Sequence, residues 1–159
     1  MTDSFTLHPI GTCTARNGGC TLHLLPEYRA GLDGLAGFSH AIALWWAHEA
    51  ASPEQRQLLT IARPYTATTE DCGVFATRSE ARPNPIGLSV FEIDEVDRDA
   101  GRVSSPYFDM LDGTPLLDLK PYFPASDRVA DARVPPHFSH WPETLERSAM
   151  FDWDKEFRH

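Results

Sequence analysis

Residues 38–48 read Phe38-Ser39-His40-Ala41-Ile42-Ala43-Leu44-Trp45-Trp46-Ala47-His48. Taken at a period of two, Phe38, His40, Ile42, Leu44, Trp46 and His48 share one face. The other face is Ser39, Ala41, Ala43, Trp45 and Ala47, nearly all small. Helical spacing also fits, through Phe38, Ala41, Ile42, Trp45 and Trp46. Segregation of large from small side chains suits the wall of a barrel, and the segment is read as a strand. The expected fold is mostly β: a small barrel with one or two peripheral helices, one of them C-terminal.

The flanking sequence agrees with short strands. Thirteen prolines and ten glycines punctuate the 159 residues and leave little room for long helices. Phe5 and Leu7 alternate with polar neighbours, Arg16-Asn17-Gly18-Gly19 reads as a hairpin turn, and Cys20, Leu22 and Leu24 alternate again. Ser52-Pro53-Glu54 resembles a helix start, with Ser52 as cap and a run of about two turns to Leu58 or Leu59. Further strands are expected at Val74 and Ala76, at Ile86, Leu88 and Val90, and at Leu117 and Leu119, with Asp99-Ala100-Gly101 a turn. After a proline-bearing link from Pro124 to Pro136, Leu145, Ala149, Trp153 and Phe157 fall four apart, as on one helix face. The division expected is a barrel domain over residues 1–127 and a linker with helix over 128–159. That helix would pack on the barrel or on a dimer partner.

The formal charge is −9, from 14 basic and 23 acidic residues, which argues against a general nucleic-acid coat. It leaves room for an enzyme with a local basic site. Only Lys120 and Lys155 are lysines, so the basic residues are nearly all arginines, suited to fixed bidentate contacts. Cys13, Cys20 and Cys72 have no CxxC spacing, which argues against a disulfide framework and a structural zinc site. His40 and His48 have no third ligand at a metal spacing, and no metal is expected. No apolar run approaches a membrane span and the first residues do not read as a signal peptide, so the expected setting is cytoplasmic.

Two runs are richer in polar, proline and glycine residues than folding requires. The first, GVFATRSEARPNPIGLS at Gly73–Ser89, sets Arg78 and Arg82 around Glu80 and carries +1 in an acidic chain. Pro83 and Pro85 stiffen the backbone around Asn84, whose amide both donates and accepts. A stiff loop with such an amide can read an adenine edge or a carboxylate at little ordering cost. A proline-braced turn with Arg78 in an internal ion pair is the alternative. The second run, DMLDGTPLLDLKPY at Asp109–Tyr122, places Asp109, Asp112 and Asp118 within ten positions. Carboxylates in such a run favour a cationic sulfonium, whereas Asp112-Gly113 also reads as an ordinary turn and Asp118 with Lys120 as an ion pair.

These runs, with Phe38-Ser39-His40, resemble the TrmO-like (TsaA, YaeB) family, which methylates threonylcarbamoyladenosine beside the tRNA anticodon. The resemblance covers roughly Phe5 to Asp127. It implies a β-barrel methyltransferase, a homodimer, binding S-adenosylmethionine at or near the dimer interface, with tRNA as partner. No glycine fingerprint of a Rossmann cofactor fold is present to compete with it. The resemblance assigns His48, Glu49, Arg78, Leu88, Asp109, Met110, Leu111 and Asp112 to the cofactor, with His48 at its adenosine part. His40, Arg82 and Asn84 are expected to touch substrate or shape loops. Candidates for a catalytic role are Asp112, Asp118 and Lys120.

The chain departs from the family pattern in three places. Gly11-Thr12-Cys13 runs straight to the Arg16–Gly19 turn without the family's Pro-Arg-Gln segment. Ala62-Arg63-Pro64-Tyr65 and residues 66–71 replace a glycine-rich stretch, and the family's additional C-terminal domain has no counterpart here. These departures, with the acidic balance, leave two alternatives to tRNA methylation. One is methylation of a small molecule or another modified nucleotide; the other is S-adenosylmethionine binding without catalysis.

Overall fold

The computed structural model describes residues 4–16 and 19–158, and the expected Asn17-Gly18 turn lies outside them. Among the described residues the strands are β1 (Gly11–Arg16), β2 (Gly19–Leu24), β3 (His40–Trp46), β4 (Thr60–Ile61), β5 (Cys72–Gly73), β6 (Ile86–Glu92), β7 (Glu95–Asp97), β8 (Arg102–Ser105) and β9 (Pro115–Pro121). Two four-residue helices follow, α1 (Pro124–Asp127) and α2 (Leu145–Ser148). Seven strands form one antiparallel sheet in the order β6-β3-β9-β1-β2-β8-β7, and β4 pairs with β5 apart from it.

That order makes β6 and β7 the two edges, yet only Ile93 and Asp94 separate them in sequence. A flat sheet would hold its edges about 29 Å apart at about 4.8 Å per spacing, whereas three Cα steps of about 3.8 Å reach only about 11 Å. The sheet is therefore rolled. Ile93 N–H still donates to Ser39 O on the β3 side (2.8 Å), and Asp94 N–H already donates to Ser104 O on β8 (3.0 Å). One bent strand thus serves both edges, as the expected barrel requires.

β3 is a strand, and its small face points inward: Ala41, Ala43, Trp45 and Ala47 are buried, whereas His40, Ile42, Leu44 and Trp46 are half-covered. The narrow interior explains the choice. Trp45 alone fills much of it, opposite Gly87, where any Cβ would fall inside the indole ring. Trp45 Nε1 donates to Ser89 Oγ at 3.0 Å, which satisfies the buried indole N–H. A bulge in β9 opposite Leu44–Trp45 shifts the alternation, so that Leu116 is buried and Leu119 also packs on the core. Cys13, Leu22, Phe91, Val103, Phe108 and Met110 complete the interior.

Several local expectations change. The first strand begins at Gly11, and Phe5 and Leu7 are exposed. Ser52 caps as expected, exchanging bonds with Gln55 (Gln55 N–H to Ser52 Oγ, 3.2 Å; Ser52 N–H to Gln55 Oε1, 3.1 Å), but only one 3-10 turn follows, over Gln55–Gln57. β5 stops at Gly73, and Val74–Ala76 is a 3-10 turn, closed by Thr77 Oγ1 on Val74 O (2.9 Å). The C-terminal stripe does not lie on one helix: α2 ends at Ser148, and a separate turn occupies Trp153–Lys155. Tertiary aromatic contacts override the four-residue spacing there, and a helix so short has little stability of its own. Trp141 stacks edge-on to Trp153 at 5.1 Å and, with His140, donates to the Glu156 carboxylate (2.8 and 2.9 Å). These bonds hold the Glu156 carboxyl below its ordinary pKa, the Trp141 bond contributing most.

Candidate functional site

The 74–89 loop is braced on several sides. Pro85 is fully buried and its carbonyl accepts from Ala47 N–H at 2.8 Å, tying the loop to the end of β3. Arg56 lies over the Trp46 ring, 5.6 Å from its centre, and donates to Pro83 O at 3.1 Å. Arg78 Nη2 donates to Leu88 O at 2.8 Å, and Arg82 Nη1 reaches Ser79 O at 3.5 Å. The first of these takes one of the five donors of an exposed guanidinium. Asn84 is exposed, and its carbonyl accepts from Ile86 N–H at 2.7 Å.

The second motif leads from β8 into β9. Leu111-Asp112-Gly113-Thr114 is a turn closed by Thr114 N–H on Leu111 O (3.2 Å), with Gly113 at φ +80° in the position that favours glycine. Asp112 Oδ1 accepts from Ala15 N–H at 3.1 Å, which fixes the turn to β1. The turn reading of Asp112-Gly113 therefore holds, and Asp112 shapes the motif. Asp118 and Lys120 form an ion pair at 2.7 Å on the outer side of β9, as the simpler reading had it.

The two motifs meet in a cleft of ≈ 220 Å³, where Glu80 faces Tyr107, Phe108, Asp109, Met110 and Leu111. Glu80 carries no signal in the sequence, where one acid between two arginines reads as their counter-charge. Its surroundings tell otherwise. Partial burial raises its carboxyl above the ordinary value, the Asp109 and then the Glu49 carboxylates raise it further, and His48 opposes them. Asp109 shares the cleft with Glu80, and His48 and Glu49, outside its lining, are near enough to act on the Glu80 charge. Tyr107 is raised as well, by burial first and then by Asp109.

Other expected residues lie apart. His40 stands at the far end of β3 from His48, about 20 Å along the strand at about 3.3 Å per residue. There its Nδ1 pairs with Ser39 Oγ at 2.9 Å. His48 is not on β3 but in the 3-10 turn that follows it. Leu88 points outward from β6 and is exposed. A larger open depression, ≈ 340 Å³, between β1, β2 and β8 takes residues from neither motif.

A rolled antiparallel sheet whose two proline- and glycine-bearing motifs meet at an acidic cleft defines a small β-barrel protein. The profile of the tRNA-methyltransferase O N-terminal domain matches residues 4–128, and the chain belongs to that family. The Pseudomonas aeruginosa protein RcsF is 41% identical over 138 residues, covering 81% of this chain and 58% of the relative. The Escherichia coli tRNA (adenine(37)-N6)-methyltransferase is 37% identical over 126 residues, 77% of this chain and 52% of that protein. A crystal structure of TrmO from Pseudomonas aeruginosa superposes with a TM-score of 0.64 at 34% identity, over 84% of this chain and 61% of that one. The chain thus spans little more than half the length of these relatives.

Proposed function

We propose that this protein is an S-adenosylmethionine-dependent methyltransferase that methylates N6 of threonylcarbamoyladenosine in tRNA. The observation that carries the reading is the convergence of the two family motifs, distant in sequence, on one cleft. Its residues fit the cofactor: the Glu80 and Asp109 carboxylates favour a cation, and Met110 and Leu111 offer apolar surface. His48, Glu49, Arg78 and Asp109–Asp112 would hold it, with His48 at the adenosine part; Leu88, on the outer face, would meet it only from the side of the dimer seam. When bound, the cofactor supplies a methyl group activated by a positive sulfur. The protein's own part is alignment: the braced Arg78–Asn84 loop fixes one wall and the Asp112–Ala15 bond the other. Arg82 and Asn84 remain the loop's candidates for meeting the substrate.

The protein is read as a cytoplasmic homodimer. No helix among the described residues is long and apolar enough to cross a membrane. Support for the dimer comes from the outer face of the β3–β6 ladder, where Ile42 pairs with Val90, Leu44 with Leu88 and Trp46 with Ile86. Ile86 and Leu88 are exposed on this face and the other four half-buried, an apolar strip that a partner would cover.

Transfer of labelled methyl groups to tRNA from cells lacking the modification enzyme tests the activity. Incorporation at the modified adenosine supports it, and none at any tRNA overturns it. A second reading, a cationic or neutral small acceptor, is favoured by the carboxylates of the cleft, which oppose a phosphate backbone; labelling of small molecules alone would select it. Arg78→Ala is expected to remain folded and to weaken S-adenosylmethionine binding about tenfold, since a charge-assisted hydrogen bond contributes about 1.5–3 kcal/mol and this guanidinium is exposed in the free protein. Calorimetric titration reads this directly.

A further inference from the structure

Several arginines of this molecule answer a nearby acid: Arg98 pairs with Asp33, Arg102 with Asp97 and Arg147 with Glu143. Around the 74–89 loop the pattern differs. Arg56, Arg78 and Arg82 each donate to a main-chain carbonyl of that loop, and none pairs with a carboxylate among the described residues. Three guanidinium groups of an acidic chain thus lack a counter-charge beside a cleft that is itself acidic. The carboxylates of the cleft suit a cation, and the arginines alongside suit an anion.

Of the three, Arg56 is the most firmly built. Ser52 caps the 3-10 turn that carries it, and Arg56 N–H donates to Ser52 O at 3.0 Å. Its guanidinium lies over Trp46, 5.6 Å from the ring centre, and its Nε donates to Pro83 O at 3.1 Å. The ring and the Nε bond fix the guanidinium plane, while both Nη groups keep their donors free of protein partners among the described residues. Arg82 has only a long contact of 3.5 Å, and Arg78 is already assigned to the cofactor wall. Arg56 is also near the cleft. Pro83 stands three residues from Glu80, so their Cα atoms are at most about 11 Å apart.

Threonylcarbamoyladenosine carries a carboxylate a few bonds from the N6 that receives the methyl group. Glu80 and Asp109 repel that carboxylate, so it has to be met beside the cleft lining rather than within it. We propose that Arg56 reads the acceptor's carboxylate, its fixed fork donating paired N–H bonds to the two oxygens. The inference rests on the reading of the protein as a methyltransferase of threonylcarbamoyladenosine in tRNA. It makes Arg56 a specificity residue, one that separates the modified adenosine from a plain one, whose N6 bears no acid.

The test titrates the full chain with two anticodon stem-loops, one carrying threonylcarbamoyladenosine and one in which the threonyl carboxylate is a carboxamide. Fluorescence anisotropy reads binding, and labelled methyl transfer reads activity. Arg56→Gln is expected to weaken binding of the acid stem-loop about tenfold, to the level of the carboxamide, which should bind parent and variant alike. KM for S-adenosylmethionine should not move. Arg56→Lys keeps the charge without the planar fork and should recover only part of the loss. Parental affinity of Arg56→Gln for the acid stem-loop overturns the inference. An equal loss for both stem-loops also overturns it, since that marks a phosphate contact, and full recovery by Arg56→Lys overturns the fixed fork. In each of these cases, methyl transfer by the parent leaves the proposed activity standing. A parent that methylates neither stem-loop overturns that activity, and the inference with it.

Discussion

Glu80 shows how far a single residue's role depends on its neighbours across the fold. In sequence it stands between Arg78 and Arg82 and reads as their counter-charge, whereas in space it faces Asp109 and Glu49. Because its folded pKa is raised, the ionised carboxylate costs stability at neutral pH, and that cost disappears as pH falls and the group is protonated. Glu80→Gln is accordingly expected to melt higher than the parent near neutral pH. The two melting temperatures should converge under acid, as scanning calorimetry across pH would record. The same variant should bind S-adenosylmethionine more weakly, having lost a carboxylate from the cleft. The braced loop around Asn84 and the Leu111–Thr114 turn were legible because proline and glycine mark stiff turns in any sequence. Glu80 was not, because its significance comes from residues about thirty positions away.

At the scale of elements, period-two alternation located β3 and β6, and the inward face was decided by volume. The interior accepts Trp45 only because Gly87 and Ser89 stand across from it, a pairing that neither strand reveals alone. The C-terminal segment fared differently, since four-residue spacing matched a helix while the side chains were already committed to Tyr65 and Trp141. Deleting residues 142–159 removes Trp153, Glu156 and Phe157 and uncovers the aromatic cluster. Exposure of one large side chain costs about 2 kcal/mol. A chain of this size then loses about 4–8 °C in Tm. Differential scanning calorimetry of the truncated chain checks this, and an unchanged Tm would show that the cluster does not stabilise the fold. Acid should loosen the same segment, because the Glu156 carboxyl, held low by Trp141 and His140, gives its stabilisation above the ordinary carboxylate range. That contribution is lost as pH falls through its lowered pKa.

For the whole molecule, the division of the barrel exterior matters most. The β3–β6 outer face is apolar, whereas β1, β2 and β8 present Thr12, Thr14, Thr21, His23, Arg102 and Ser104. Leu88→Asp, placed in the middle of the apolar ladder opposite Leu44, is expected to convert a dimer to monomers in sedimentation equilibrium while preserving the fold. A parent that sediments as a monomer would remove the need for this interface.

The rolled sheet also sets an order of events for a chain leaving the ribosome. β1 and β3 are made early, but both pair with β9, so that Gly11 must wait for Leu116 and Ala43 for Leu119. Contacts so far apart in sequence are slow to form. Until β9 emerges, the nascent chain carries β3 with one side unpaired and Trp45 without its full enclosure, a state that chaperones recognise.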